Sequence, residues 1–224
     1  MSYNNSLLNQ VKNIFPQGIV GIIFDCDGVI IDSKSINVGY FNKILQELGY
    51  PKMTKEEADY VQMASVQDAM NFLIAHEDRE KLKEVTQRFS YKKEALPHLK
   101  IEPGLMNLLH WLKSRGIQLG INTNRVSKGM NDVLLSLGLN GFFDPIITSD
   151  LFPAKPDPEG LLRILEIWNT EPSKVAFIGD SLTDEGAAHA ASIPLIAYCN
   201  TSLSASIHIE KFSDLYDALQ GLYQ

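Results

Sequence analysis

The chain has 224 residues, 45% of them hydrophobic and 21% charged, the balance of an ordinary globular protein of one or two domains. That length can bury a core without disulfide or metal staples. Its 20 Lys and Arg against 27 Asp and Glu leave a net charge of −7, which argues against a nucleic-acid partner, because phosphate contacts need a basic face. Its two cysteines, Cys26 and Cys199, form no CxxC pair, so neither a disulfide framework nor a cysteine-based zinc site is expected. The first stretch of chain has no apolar signal-peptide core, and no apolar run approaches the ~20 residues of a membrane span. A cytoplasmic monomer or homodimer with no membrane partner is expected.

Along the chain, short apolar runs alternate with amphipathic segments. Ile19 to Phe24 is a continuous, β-branched-rich run, the signature of a strand buried on both faces of a parallel sheet. Further strands are predicted at residues 117–122, 145–148, 174–178 and 194–198. Between them, Pro103 suits the first position of a helix carrying Leu105, Leu108, Leu109 and Leu112. Ser127 suits the N-cap of the next, with Met130, Val133, Leu134 and Leu137 on one face. Asp157-Pro158 opens a third, with Leu161, Leu162, Leu165 and Trp168 turned inward. Strands alternating with helices imply βαβ units and a doubly wound, Rossmann-like α/β core.

One interval breaks the rhythm. A βαβ crossover takes about 30 residues, yet the chain runs from Phe24 to Ile117 before the next core strand. The excess reads as helical. Ile36, Tyr40, Phe41, Ile44, Leu45 and Leu48 make one stripe; Val66, Met70, Phe72, Leu73 and Ile74 a second; Leu82, Val85 and Phe89 a third. The expected organisation is a core of residues 1–33 and 100–224 with a helical insertion at 34–99, hinged near Ser33–Ser35 and Lys100–Pro103.

Open parallel sheets bind ligands beyond the carboxyl ends of their strands. Four of the predicted strands lead there into Asp25-Cys26-Asp27-Gly28, Asn122-Thr123-Asn124-Arg125, the segment around Lys155, and Asp180-Ser181-Leu182-Thr183-Asp184. Residues two apart on an extended segment point the same way, so Asp25 and Asp27 are expected to share a cleft with Asp180. Two carboxylates 4 Å apart repel by about 4 kcal/mol at an effective dielectric of 20, which calls for a cation or a shared proton. Oxygen donors with no neighbouring His or Cys favour Mg²⁺. A carboxylate can attack phosphorus and form an aspartyl-phosphate, and a second can serve the leaving oxygen and then water. Lys155, Thr123 and backbone N–H groups would hold the phosphoryl oxygens, and Gly28 would let the chain turn sharply beside them. Asn124 is a further candidate, Arg125 is evenly balanced between function and structure, and Asp32 reads as a helix cap with Ser33. Cys26 is expected to turn away into the sheet.

These segments carry a resemblance. Asp25-Cys26-Asp27-Gly28-Val29-Ile30-Ile31-Asp32-Ser33 resembles the first motif, DxDGxxxDS, of the haloacid dehalogenase-like hydrolases. Thr123-Asn124, Lys155-Pro156-Asp157-Pro158 and Gly179-Asp180-Ser181-Leu182-Thr183-Asp184 are similar to the second, third and fourth, in order and over most of the chain. The insertion resembles the C1-type cap of the phosphoglycolate phosphatase and β-phosphoglucomutase branch. The resemblance implies Asp25 as nucleophile and Asp27 as general acid and base. It implies Mg²⁺ held by Asp25, the Asp27 backbone carbonyl and Asp180, with Asp184 in the outer shell. Thr123 and Asn124 would contact the phosphate, and Lys155 would orient Asp25. The substrate would be a small phosphorylated metabolite, such as a sugar phosphate or phosphoglycolate.

Two other readings are open. A phosphomutase of this branch carries a cap-linker histidine and a cap loop with Gly and Arg. Here those stretches read Ser35-Ile36-Asn37-Val38 and Gln62-Met63-Ala64-Ser65-Val66-Gln67. A receiver-like protein phosphorylated on Asp25 would need neither Asp27 nor a lid. A cationic cap contact with substrate is expected, if anywhere, from Lys34, Lys43 or residues 79–93. The five histidines show no ligand spacing, and there is no GxSxG or GxxxxGK[ST] motif.

Overall fold

The computed structural model describes residues 2–223. The continuous apolar runs form β1 (Gly21–Phe24), β4 (Gln118–Thr123), β5 (Ile146–Thr148), β6 (Val175–Gly179) and β7 (Leu195–Tyr198), joined at the edge by β8 (Ile207–Ile209). All pair in parallel, in the order β5-β4-β1-β6-β7-β8. Numbered among themselves, the six run 3-2-1-4-5-6, the doubly wound arrangement. The chain leaves β1 toward β4 and later returns to β6 on the opposite side, so the switch of direction lies beside β1.

Alternation along β1 builds two cores. Ile22 and Phe24 face one cluster, with Leu105, Leu108 and Leu109 of α7 (Leu105–Ser114), Met130 and Val133 of α8 (Ser127–Ser136) and Leu215 of α11 (Phe212–Leu222). Ile23 faces the other, with Leu161, Ile164 and Trp168 of α9 (Glu159–Trp168) and Ala187 of α10 (Leu182–Ala190). Helices thus cover both faces, as an all-parallel sheet requires. α1 (Ser2–Ile14) adds Val11 to the first cluster.

Helix starts follow local chemistry, and two differ from expectation. Gly104 takes a left-handed φ of 83°, so α7 begins at Leu105 rather than at Pro103. Val126 occupies the N-cap of α8 and Ser127 its first turn. Ser127 cannot cap because its hydroxyl donates to Asp150 Oδ1 at 2.9 Å and its amide to the same oxygen at 2.8 Å. In α9, Leu162 faces solvent, while Ile164 completes the buried stripe with Leu161, Leu165 and Trp168, the i, i+3, i+4, i+7 set that one helix face allows.

The long interval holds α2 (Lys34–Glu47), α3 (Lys55–Met63), α4 (Val66–Leu73), α5 (Arg79–Arg88) and α6 (Tyr91–Glu94). Tyr40, Phe41, Ile44, Leu45, Met70, Leu82 and Val85 form its own apolar cluster. Val66 and Phe72, expected inward, are 49% and 54% exposed. The chain enters this region from β2 (Ile31–Asp32) and leaves it through β3 (Lys100–Ile101), which pair antiparallel with each other. Among the described residues no helix is long and apolar enough to cross a membrane.

Candidate active site

Phe24, the last residue of β1, lies in register with Ile121 of β4 and Ile178 of β6. Three neighbouring strands therefore release the chain at one rim, beside the change of direction. A chamber of about 340 Å³ opens there, lined by Asp25, Asp27, Thr123, Asn124, Lys155 and Asp180 from below and by α2–α4 and α6 from above.

Lys155 is the electrostatic hub. Its buried Nζ lies 2.6 Å from Asp25 Oδ1 and 2.6 Å from Asp184 Oδ1. Asp184 is wholly enclosed: its Oδ2 accepts from the amides of Asp180 (3.2 Å) and Ser181 (3.1 Å) and from the Ser181 hydroxyl (2.5 Å). The Ser181–Asp184 capping box that starts α10 thus also fixes the hub's second anion. Burial would depress the Lys155 ammonium, but Asp184 and Asp25 hold it above its ordinary range.

Asp180 closes the cluster. Its carboxylate comes within ligand-sharing distance of Asp25 and Asp184, all three offering oxygens within 4.8 Å of one another. Among the described residues its carboxylate oxygens accept no hydrogen bond and form no ion pair. Burial, then the charges of Asp25 and Asp184, push it up to about 8; burial, with the Asp184 charge, pushes Asp25 up to about 7 against the pull of Lys155. One ammonium against three carboxylates leaves a deficit that a proton or a further cation must fill. Hard oxygen donors around an unpartnered carboxylate fit Mg²⁺. Gly28 gives Asp180 its room: at φ 78° a Cβ would stand 2.2 Å from Asp180 Oδ2. The Gly28 amide donates to Ile31 O at 2.9 Å, so this residue supplies space rather than a free N–H, and neither Gly28 nor Asp184 lines the chamber.

Asp27 is held differently. Arg125 grips it bidentately, Nε to Oδ2 at 2.6 Å and a terminal nitrogen to Oδ1 at 2.7 Å. Ser33 (2.5 Å) and Asn37 (3.1 Å) also donate to Oδ1. Burial alone would raise this carboxyl, but the Arg125 charge and these donors bring it below the usual range. The network continues upward. Arg125 donates to Tyr91 Oη at 3.0 Å, Tyr91 donates to Asn37 Oδ1 at 2.7 Å, and Gln62 donates to Ser33 Oγ at 3.3 Å. Ser33 stands at the N-cap position of α2 without capping it, because its hydroxyl is turned to Asp27; Asp32 is exposed.

Asn124 is committed as a brace. Its Nδ2 donates to Met63 O (3.0 Å) and Lys155 O (3.2 Å), and its Oδ1 accepts from the Lys155 amide at 2.8 Å. Thr123 Oγ1 accepts from the Arg125 amide at 3.2 Å and borders the chamber. Cys26 is fully buried, with its thiol pushed well up by burial. The sequence reading took Ser33 only for a helix cap and assigned no part in the site to Asn37, Gln62 or Tyr91. Asn37 lies one helical turn beyond Ser33 and could have been found by that spacing; Tyr91, 64 positions from Asp27, could not.

The family description "Haloacid dehalogenase-like hydrolase" matches residues 22–198. The chain belongs to that family and is an enzyme of its phosphatase kind. It is similar to the phosphoglycolate phosphatase of Aquifex aeolicus, 30% identical over 164 residues that cover 73% of this chain and 76% of that one. Among solved structures, a HAD-superfamily hydrolase from Geobacter sulfurreducens superposes with a TM-score of 0.73 at 29% identity, covering 90% of this chain and 96% of its own. The β-phosphoglucomutase of Clostridium difficile shares the fold, with a TM-score of 0.76 at 23% identity over 92% of this chain and 97% of its own.

Proposed function

We infer that the protein is a Mg²⁺-dependent phosphatase that hydrolyses a small phosphomonoester through an aspartyl-phosphate on Asp25. The observation that carries this is the unpartnered Asp180 carboxylate beside Asp25 on the floor of the chamber. Asp25, the backbone carbonyl of Asp27 and Asp180 would hold the ion, with Asp184 behind them; bound there, Mg²⁺ supplies positive charge for the transferring phosphoryl group. Lys155 orients Asp25 and offsets charge on the phosphoryl oxygens, while Thr123 contributes a hydroxyl to the same pocket.

Asp25 attacks phosphorus as the ester P–O bond breaks, and Asp27 gives the departing alkoxide its proton. Asp27 then takes a proton from water as that water displaces phosphate from Asp25. For the first transfer Asp27, held here as a carboxylate, must release an oxygen from Arg125 and take up a proton from water; Arg125 itself contacts Tyr91. Helices α2–α6, within residues 34–99, act as the cap. They open about the paired β2 and β3 and close to exclude bulk water. Asn37, in the stretch where a mutase carries its histidine, is bonded to Asp27 and cannot titrate, which favours hydrolysis.

Phosphate release from a panel of phosphomonoesters, with MgCl₂ and with EDTA, tests the reading. Turnover should require Mg²⁺, and Asp25→Asn should abolish it while leaving the circular dichroism of the folded state intact. Substantial residual turnover in that variant would overturn the mechanism.

A further inference from the structure

The chamber has two unlike halves. Its floor is the charged cluster already described, but Tyr40, Phe41, Val61, Met63, Val66 and Val126 line its walls. The first three are nearly buried, whereas Val66 and Val126 are 49% and 40% exposed. Paired apolar side chains bordering one cavity mark a ligand surface more than scattered ones do.

The charges point the same way. Four cations line the chamber, and three are already neutralised: Lys155 by Asp25 and Asp184, Arg125 by Asp27, and Lys92 by Asp132 at 2.8 Å. Lys128 alone has no ion pair among the described residues, and it is exposed, where a charge pair gains little. Lys34 and Lys43, the other candidates from the sequence, pair with Asp59 and Glu94 and do not border the chamber. The polar cap groups Asn37, Gln62 and Tyr91 are spent on one another, on Asp27 and on Arg125. A second anion on the substrate would therefore meet Asp132 with no free buried cation, and sugar hydroxyls would find Asn37, Gln62 and Tyr91 engaged, with the small Ser90 hydroxyl left to meet them. An apolar body would gain by leaving water.

We propose that the alcohol part of the substrate is uncharged and presents a largely apolar body, a short alkyl or arylalkyl group, to the walls formed by α2, α3 and α4. This rests on the phosphatase reading and narrows it away from phosphoglycolate and sugar phosphates. Steady-state kinetics with Mg²⁺ on benzyl phosphate, phosphoglycolate and glucose 6-phosphate, all esters of aliphatic alcohols, test it. Benzyl phosphate should lead the other two by about tenfold or more in kcat/KM, the scale on which an apolar pocket discriminates. Val66→Lys, at an exposed wall position, should shift the benzyl phosphate to phosphoglycolate ratio toward phosphoglycolate by about tenfold, while Val66→Leu should preserve it. Equal or reversed ranking in the wild type, or an unchanged ratio in Val66→Lys, overturns the proposal and leaves the phosphatase reading standing. No turnover of any of the three overturns both.

Discussion

The partly buried pair of Asp27 and Arg125 shows how one side chain's chemistry is set by a partner 98 positions away. A bidentate guanidinium fixes both oxygens of a carboxylate at once, so Arg125 determines where the acid and base of the proposed reaction points. Removing the partner leaves a buried charge uncompensated, which makes the choice of assay important. A poor leaving group needs a well-placed proton donor, whereas p-nitrophenolate departs without one. Arg125→Gln should therefore lower kcat on an alkyl phosphate by about a hundredfold, within the usual range of acid–base contributions, and far less on p-nitrophenyl phosphate. Equal losses on both substrates would make Arg125 a structural residue only. The sequence left Arg125 undecided because nothing local distinguishes a loop arginine from one aimed across the sheet. Asp25, Asp27 and Asp180, by contrast, could be grouped from the strand ends alone.

Among the elements, α9 shows what sets the distance of a helix from the sheet. A Cβ on Gly160 would stand 2.4 Å from Asn122 Oδ1, and one on Gly120 would stand 3.0 Å from the Trp168 ring. Glycines on both surfaces thus let α9 settle on β4. Gly160→Ala should push the helix outward and cost about 1–3 kcal/mol, the usual range for overpacking. Urea unfolding measures it, and an unchanged midpoint would show that Asn122 simply moves aside. The main strands and α7, α8 and α9 were legible because their apolar patterns are long and their punctuation clear, whereas α10, read only as a run of chemical groups, was not. β8, with three residues, and the pairing of β2 with β3, two residues each, were not, since such short runs carry no period. α1 and α11 were also missed. The buried faces of these two helices, carrying Val11 and Phe212, Leu215 and Leu219, become visible only when they join one cluster.

For the molecule as a whole, the unbalanced acid cluster ties stability to pH and metal. Asp180 has a native value of about 8 against an ordinary 3.8. Between those values the folded state keeps a proton that the unfolded chain has released, so this group's contribution to stability falls as pH rises. Asp25, raised to about 7, acts in the same direction. Asp27, lowered, acts oppositely, and only below its ordinary 3.8. A divalent ion in place of the proton removes the deficit. Mg²⁺ should therefore raise the melting temperature little near about pH 5 and more near about pH 8. Thermal melts with MgCl₂ or EDTA check this, and equal shifts at both would place binding elsewhere.

The chain's own pattern determined the doubly wound core, the helical insertion and the grouping of aspartates at one rim, because strand periodicity and the position of strand ends are local properties. Only the tertiary structure decided that Asp27 is held by Arg125, that the Asp180 carboxylate has no partner among the described residues, and that Lys92, the cap cation bordering the chamber, is already paired with Asp132. Those facts depend on which distant side chains meet in a low-dielectric interior, where a few ångströms decide whether a charge is satisfied.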